Sequence, residues 1–248
     1  MDLGLQGRVA LVGGASAGLG RAIAAELAAE GATVAVSSRS RERIDEAARA
    51  IGATPFVWDS ADLDAAPALL DAVTAALGPL DILVTNTGGP PRDPDPLGFT
   101  REAWEAAYRS LVLAPMALVE GVLAGMRERG FGRIVNVGST SVREPIAGLM
   151  LSNSHRAALV TAFKTIAVDV AADGVTLNTL LPGSFATARI TEGATDAELR
   201  AAVAGVPAGR FGDPTELACA AAFLCSARAG YITGETLAVD GGKTRSVF

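Results

Sequence analysis

The sequence predicts an α/β protein of the doubly wound, Rossmann type, with a seven-stranded parallel sheet and helices on both faces. Three observations predict this class: seven short apolar segments rich in β-branched residues, alanine-rich helical segments between them, and a glycine-rich turn directly after the first strand. Strands that are buried on both faces read as nearly continuous apolar runs, and right-handed crossovers place helices on either side. We expect one domain over residues 1–248, because no linker or repeat interrupts this alternation.

The predicted elements follow one another in a regular order. The strands are expected at residues 8–13, 33–38, 54–59, 81–86, 133–138, 175–181 and 235–241. The alanine-rich helices between them have good intrinsic propensity and include residues 21–30, 41–51, 63–77, 100–129 and 156–172. Pro115 lies inside the fourth of these helices, and because a proline removes one backbone hydrogen bond, we expect a kink near Leu111.

Two loops are expected at the carboxyl edge of the sheet, where ligands bind in open α/β folds. Residues 88–98 contain four prolines, and residues 183–195 follow a strand and precede a short helix. Either loop could cover a bound substrate.

Composition and charge exclude several classes of protein. Half of the residues are apolar and 19% are charged, so the chain has ample material for a buried sheet. The formal net charge of −6 and the lack of a basic stripe argue against a nucleic-acid partner. The N-terminus lacks a signal-peptide pattern, and no apolar run approaches the roughly 18 residues that span a bilayer. We therefore expect a cytoplasmic protein with no membrane partner.

No metal site is expected. Cys219 and Cys225 lie six residues apart in a helical pattern, which places their side chains on different faces and too far apart to form a disulfide. We expect both to be thiols in the core. With a single histidine and no second pair of cysteines, a structural zinc site has no ligands.

The glycine-rich turn carries the first functional prediction. The first strand runs into Gly14, Gly18 and Gly20 and then into an amphipathic helix that begins near Arg21. Glycines let the backbone turn sharply and approach a diphosphate, whose charge meets free N–H groups at the helix N-terminus. A plain tight turn is the alternative, but the strand before the glycines and the helix after them favour dinucleotide binding.

The glycine spacing, Gly-x-x-x-Gly-x-Gly, resembles that of the short-chain dehydrogenase/reductase family. The resemblance covers essentially the whole chain, through Asn86-Thr87-Gly88, Ser139, Pro182-Gly183 and the segments 231–234 and 239–242. Within that family the sequence is similar to the 3-oxoacyl carrier-protein reductases. The resemblance implies a nicotinamide cofactor, a small carbonyl or secondary alcohol as substrate, such as a 3-oxoacyl thioester, and a homodimer or homotetramer.

The resemblance also implies a set of cofactor-binding residues. They are Gly14, Ser16, Gly18, Leu19, Gly20, Ser38, Arg39, Asp59, Asn86, Thr87, Gly88, Arg156, Pro182, Gly183, Phe185 and Thr187. An acidic residue at the end of the second strand would bind the adenosine ribose, whereas a basic one would meet a 2′-phosphate. Arg39 stands there without a carboxylate, which favours NADP over NAD, although this arginine is alternatively a solvated charge. Asp59 is alternatively an ordinary turn or cap residue.

The catalytic positions depart from the family's pattern of Asn, Ser, Tyr and Lys. Ser139 is retained, but Ser152 stands in place of the tyrosine, Arg156 in place of the lysine and Leu111 in place of the asparagine. Ser139, Ser152 and Arg156 are the predicted catalytic residues: two hydroxyls would hold a substrate carbonyl, and the guanidinium would stabilise a developing alkoxide. Ser152 is alternatively a helix N-cap and Arg156 a solvated helix charge.

The proton donor stays open from the sequence. A serine hydroxyl is a poorer acid than a phenol, and a guanidinium does not shuttle protons near neutral pH. Water, His155 and Tyr108 are the candidates; His155 is alternatively a histidine of the helix surface or of a subunit interface. Two functions follow: an NADP-dependent oxidoreductase, or a dinucleotide-binding protein with lost or altered redox chemistry.

Overall fold

One parallel sheet of seven strands organises the chain in the computed structural model, which describes residues 2–247 apart from the side chain of Arg189. The strands are β1 (Val9–Gly13), β2 (Thr33–Ser38), β3 (Thr54–Val57), β4 (Ile82–Thr85), β5 (Gly132–Val137), β6 (Val175–Pro182) and β7 (Thr236–Val239). Their order across the sheet is β3-β2-β1-β4-β5-β6-β7, and every neighbouring pair is parallel. The predicted fold class is confirmed, and each strand matches its predicted segment to within two residues.

Helices cover both faces of the sheet. They are α1 (Gly18–Ala29), α2 (Arg41–Ile51), α3 (Ala66–Leu77), α4 (Arg101–Tyr108), α5 (Ala114–Glu128), α6 (Met150–Val170), α7 (Ala188–Thr191), α8 (Asp196–Ala204) and α9 (Pro214–Cys225). Alternate residues of β1 face opposite layers: Val12 belongs to the same hydrophobic cluster as Ile23 of α1 and Leu217 of α9, whereas Leu11 belongs to the cluster that contains Phe163 of α6. Two hydrophobic clusters therefore hold the helices to the sheet, one on each face.

The long helical segment changes its hydrogen bonding near Leu111, where the sequence predicts a kink. A π-helical turn over Arg109–Leu113 joins α4 to α5, and Pro115 lies in the first turn of α5. Because α4, this turn and α5 form one continuous helix, Pro115 removes one N–H donor toward the turn that precedes it. The π-helical turn contains Leu111, the residue near which the sequence predicts a kink.

The same segment corrects one expectation from the sequence. The stretch Arg101–Glu128 is long and apolar enough to cross a membrane by length and composition, contrary to the expectation that no run approaches that length. Its apolar side chains nevertheless have partners within the fold, since Leu118, Val122 and Met126 are buried in the second cluster. The apolarity of this stretch is therefore that of a core helix.

The prediction that both cysteines lie in the core is half wrong. Cys225 is fully buried, and burial raises the pKa of its thiol to about 12. Cys219 is exposed on α9, with its sulfur 3.6 Å from Oε1 of Glu26 on α1. Within residues 2–247, no three His, Cys, Asp or Glu side chains form a cluster that could hold a metal ion.

Candidate active site

The candidate site lies at the carboxyl edge of the sheet, where the strand order reverses. From β1 the chain continues outward to β2 and β3, and it then returns to place β4 on the other side of β1. Loops that leave β1 and β4 therefore diverge and open a crevice between them. The segments that follow β5 and β6 begin at the same edge, because all seven strands are parallel.

The glycine turn after β1 is held against β4 by Asn86. Gly14 and Gly18 both have φ of +58°, a conformation that side-chain-bearing residues rarely adopt. A Cβ on Gly14 would lie 2.5 Å from the backbone oxygen of Asn86, and one on Gly20 would lie 2.5 Å from the backbone oxygen of Gly14. The amide Nδ2 of Asn86 also donates to the Gly14 carbonyl over 3.1 Å. The turn therefore needs glycine for close packing as well as for its backbone angles.

Helix α1 begins at this turn without a side-chain cap. Its N-cap residue, Ala17, is extended and offers no side-chain acceptor, and the first turn of α1 contains no acidic residue. The N–H groups from Ser16 to Leu19 have no side-chain acceptor among the described residues, and they lie at the positive end of the helix dipole. This geometry fits a diphosphate.

The loop after β6 lies against the glycine turn. A Cβ on Gly18 would be 3.6 Å from Cγ2 of Thr187, so this loop closes one side of the crevice. Gly183, which follows Pro182, packs so closely on Asp240 that a Cβ there would lie 2.6 Å from the aspartate Cβ. Phe185 is buried and its ring packs on Gly212, so the backbone of Phe185 is the part that a ligand in the crevice could contact.

Ser38 and Arg39 lie at the end of β2, on the other side of the glycine turn. The hydroxyl of Ser38 donates to the backbone oxygen of Ser40 over 3.3 Å. Arg39 is exposed and makes no hydrogen bond or ion pair with the described residues, so its guanidinium is available to a 2′-phosphate. Asp59 is also exposed and accepts a hydrogen bond from the Ala61 amide over 3.0 Å, as a turn residue does.

Thr87 and Gly88 continue the crevice after Asn86. Thr87 is partly buried and Gly88 is exposed, with no atom within 4 Å of the position that a Cβ would take. The loop of residues 88–98 that follows is fixed at its middle, where the Asp93 amide donates to the carbonyl of Gly148 over 3.2 Å. This loop therefore contacts the segment that leads into α6.

Arg156 joins two of the predicted catalytic elements. Its Nε donates to the hydroxyl oxygen of Ser152 over 3.2 Å, and its Nη1 donates to the carbonyl of Val137 over 2.9 Å. Val137 is the last residue of β5, two positions before Ser139. Both alternatives from the sequence are wrong here: Ser152 lies inside α6, whose N-cap is Leu149, and Arg156 is partly buried and hydrogen-bonded.

Ser139 caps the short 3-10 turn Thr140–Val142. Its Oγ accepts a hydrogen bond from the Ser141 amide over 3.1 Å. Since Ser139 accepts from this amide and Ser152 accepts from Arg156, each hydroxyl keeps its own hydrogen for donation to a third group. Two hydroxyl donors and one guanidinium are thus held at the end of β5.

The candidate proton donors lie in a separate ring cluster. His155 is 7% exposed, its Nδ1 lies 2.7 Å from the carbonyl of Leu151, and its ring centroid lies 5.2 Å from that of Trp104 and 5.9 Å from that of Tyr108. A histidine of the helix surface is therefore the wrong interpretation, because this ring is buried between α4 and α6. No hydrogen bond among the described residues joins His155 or Tyr108 to either serine of the site.

The position of the family's asparagine is filled by an apolar side chain. Leu111 is 1% exposed and lies in the π-helical turn, so it offers the site no polar group. Two groups that hold the site were not predicted from the sequence: the Val137 carbonyl, which accepts from Arg156, and the Ser141 amide, which donates to Ser139. Both are backbone groups, and no residue type marks them.

A doubly wound sheet whose first strand turns through glycines into an uncapped helix defines a nucleotide-binding α/β protein. A family model described as Enoyl-(Acyl carrier protein) reductase matches residues 14–244. The chain belongs to the short-chain dehydrogenase/reductase family, which confirms the resemblance found in the sequence.

Curated relatives match over nearly the whole chain. The 3-oxoacyl-(acyl-carrier-protein) reductase FabG of Vibrio cholerae is 38% identical over 242 residues, which cover 97% of this chain and 98% of the relative. The acetoacetyl-CoA reductase of Shinella zoogloeoides is 33% identical over 240 residues, which cover 95% and 98%. Among solved structures, L-sorbose reductase from Gluconobacter frateurii, complexed with NADPH and L-sorbose, aligns over 100% of both chains with a TM-score of 0.92 and 32% identity.

Proposed function

We propose that this protein is an oxidoreductase that transfers hydride between NADP(H) and a small carbonyl or secondary alcohol, with Ser139, Ser152 and Arg156 as its catalytic residues. One observation carries the proposal: Arg156 donates two hydrogen bonds, one to the Ser152 hydroxyl and one to the Val137 carbonyl. These bonds hold Ser152 beside the end of β5, two residues before Ser139. The names of the relatives, which act on 3-oxoacyl and acetoacetyl thioesters, favour a 3-oxoacyl thioester as substrate. Solved relatives in complex with NADPH support NADP as the cofactor.

The cofactor-binding residues are proposed from the crevice geometry. The uncapped start of α1, with Gly14, Ser16, Gly18, Leu19 and Gly20, would receive the diphosphate. Arg39 and Ser38 would meet the 2′-phosphate and Asp59 the adenine. The remaining proposed contacts, toward the nicotinamide end, are Asn86, Thr87, Gly88, Arg156, Pro182, Gly183, Phe185 and Thr187.

A nicotinamide held in the crevice would supply or accept the hydride, which leaves the protein to stabilise charge on the carbonyl oxygen. The free hydrogens of the Ser139 and Ser152 hydroxyls donate to that oxygen. Because Arg156 donates to Ser152, it polarises this hydroxyl and makes it a stronger donor, and its positive charge favours the developing alkoxide. The guanidinium keeps its protons near neutral pH, so the proton that completes the alcohol comes from water.

We infer further that the protein is a cytoplasmic homodimer or homotetramer with a small-molecule substrate and neither a nucleic-acid nor a membrane partner. The net charge of −6 supports the absence of a nucleic-acid partner. Tyr231, Leu237 and Val168 are large apolar side chains that stand exposed on the subunit, which supports self-association.

The test follows NADPH consumption by the purified protein with a panel of ketones that includes 3-oxoacyl thioesters. Ser139→Ala removes one hydroxyl donor and should lower kcat by about 10²-fold, the effect typical of an oxyanion donor. Ser154→Ala is the matched control, because Ser154 lies on α6 but donates to the Met150 carbonyl of its own helix. If no carbonyl compound in the panel leads to NADPH consumption, the proposed activity is contradicted.

A dinucleotide-binding protein with lost or altered redox chemistry, in a regulatory or structural role, is the second candidate function. It is favoured by the lack of a hydrogen-bonded acid beside the two serines within the described part of the chain. In that case NADPH at about 100 times Kd should stabilise the fold by about 2.7 kcal/mol without any turnover.

The double variant Ser152→Tyr, Arg156→Lys separates the two functions further. A rate gain of about 10² or more would mean that the native chain had given up general acid catalysis.

A further inference from the structure

The segment after β7 connects the two loops that flank the candidate site. On one side, Nζ of Lys243 donates to the hydroxyl of Ser184, which lies in the loop after β6, over 3.2 Å. On the other side, the backbone amides of Arg245 and Ser246 donate to Oε1 of Glu144 over 2.6 and 2.7 Å. Glu144 follows the 3-10 turn that Ser139 caps. Residues 243–246 therefore bridge the cofactor side and the substrate side of the site.

This segment has a defined shape at its start. The carboxylate of Asp240 accepts hydrogen bonds from the Gly242 amide over 2.9 Å and from the Thr244 amide over 2.7 Å. Asp240 is also the residue on which Gly183 packs at the end of β6. The bridge thus begins from a point that is fixed to the sheet.

The turn that carries Ser139 is attached to the β7 region twice. Nη2 of Arg143 donates to the backbone oxygen of Thr236 over 2.8 Å and to its hydroxyl over 3.1 Å. The next residue, Glu144, receives the two amides described above. A carboxylate that accepts two N–H bonds makes a charge-assisted contact stronger than a neutral one.

We propose that Glu144 is a positioning residue that acts through Ser139. The bridge of residues 243–246 sets the distance between the Ser184 loop and the Ser139 turn, and Glu144 is its anchor on the substrate side. A small displacement of a hydroxyl that has to meet a carbonyl oxygen costs rate, because the donation is productive only in aligned geometry. For the role of Ser139, the inference rests on the proposed function.

The kinetic test compares Glu144→Ala with Glu144→Gln. The alanine variant should lower kcat by about tenfold, while the Kd for NADPH stays within about twofold, since the glycine turn is untouched. The glutamine variant keeps an oxygen acceptor and should recover most of the rate. Equal losses in both variants, or a loss that appears only in the Kd for NADPH, would overturn the proposal.

A second pair of variants tests the backbone donors. Ser246→Pro removes one of the two amides that donate to Glu144, whereas Ser246→Ala keeps that amide and removes the hydroxyl. The proline variant should show a clearly larger part of the kcat loss of Glu144→Ala than the alanine variant does. Identical behaviour of the two Ser246 variants would contradict the bridge.

An exchange measurement separates this proposal from the proposed function. The Ser141 amide donates to Ser139 Oγ, so its hydrogen exchange, followed by NMR, reports on the turn without any turnover. Exchange of this amide should accelerate in Glu144→Ala and remain slow in Glu144→Gln. Unchanged exchange of the Ser141 amide in Glu144→Ala would contradict the proposed bridge, even if the enzyme is active. If the wild type is inactive but exchange accelerates in Glu144→Ala, the proposed reductase activity is contradicted and the proposed bridge is supported.

Discussion

The guanidinium of Arg156 lies one helical turn beyond Ser152 on α6 and donates to its hydroxyl over 3.2 Å. In the family pattern these two positions carry lysine and tyrosine, so the same helical spacing now joins a cation to an aliphatic hydroxyl. The second donation of Arg156, to the Val137 carbonyl, holds this pair at the end of β5.

Arg156 should be hard to replace, even by lysine. An ammonium group is a compact point charge and does not reproduce the fork that spans Ser152 and Val137. We expect kcat to fall about tenfold in Arg156→Lys and about 10²-fold in Arg156→Ala, measured by NADPH consumption. Lys164→Ala is the control: Lys164 lies on the same helix but pairs with Glu235 at the surface. A fully active Arg156→Ala variant would exclude the guanidinium from the reaction.

Gly14→Ala should abolish nucleotide binding. The new Cβ would meet the Asn86 backbone at 2.5 Å and would also occupy a residue with φ of +58°. Gly52→Ala is the matched control, since Gly52 has φ of +70° with no atom within 4 Å of the added Cβ. Backbone strain should lower the free energy of unfolding of both variants by about 1–2 kcal/mol. Calorimetry should show that only Gly14→Ala no longer binds NADPH. Equal NADPH affinities would place the diphosphate elsewhere.

Arg39 should decide the choice between NADPH and NADH. A charge-assisted bond to a phosphate contributes about 1.5–3 kcal/mol, so Arg39→Ala should weaken NADPH binding by about 10- to 100-fold. The affinity for NADH, which lacks the 2′-phosphate, should not change. Arg49→Ala serves as control because Arg49 is exposed at the other end of α2. A parallel loss of both nucleotides would rule out a selective role for Arg39.

The start of α9 should make the fold sensitive to acid. Hydrogen bonds from Arg210 and from the Asp213 amide lower the pKa of Glu216 from its ordinary value of 4.5 to about 2. A lowered pKa in the folded state means that this stabilisation is complete above pH 4.5 and is lost as the pH falls toward 2. Wild-type stability should therefore fall more steeply than that of Glu216→Gln between about pH 5 and pH 2 in urea unfolding.

The control for the acid experiment is Glu46→Gln, which removes an exposed carboxylate on α2. Its stability curve should run parallel to that of the wild type. If Glu216→Gln also runs parallel, the ion pair with Arg210 has no energetic effect on folding.

Local features of the chain determined most of the fold. The strands follow from short apolar runs between helical patterns, and each lies within two residues of its predicted segment. The turn at Gly14 was equally readable, because a left-handed backbone angle and close packing both demand glycine. Helix α6 was the clearest miss: it begins at Met150 rather than near Arg156, since its first turns hold the polar residues Ser152 and Asn153, which favour caps and turns.

Some side-chain environments could not be read from residue types. Cys219 and Cys225 share an alanine-rich helix without a strongly polar face, so the pattern does not mark which side is buried. His155 was equally ambiguous, because only the docking of α4 on α6 encloses its ring.

By itself, the sequence determined the fold class, the family, the glycine crevice and the loss of the family's tyrosine and lysine. Only the tertiary structure decided that Arg156 faces Ser152 and the end of β5, and that Glu144 receives the chain after β7. The physical reason is that periodicity and backbone angles are properties of neighbouring residues. Hydrogen-bond partners such as Arg156 and Val137, 19 residues apart, are chosen when separate elements pack together.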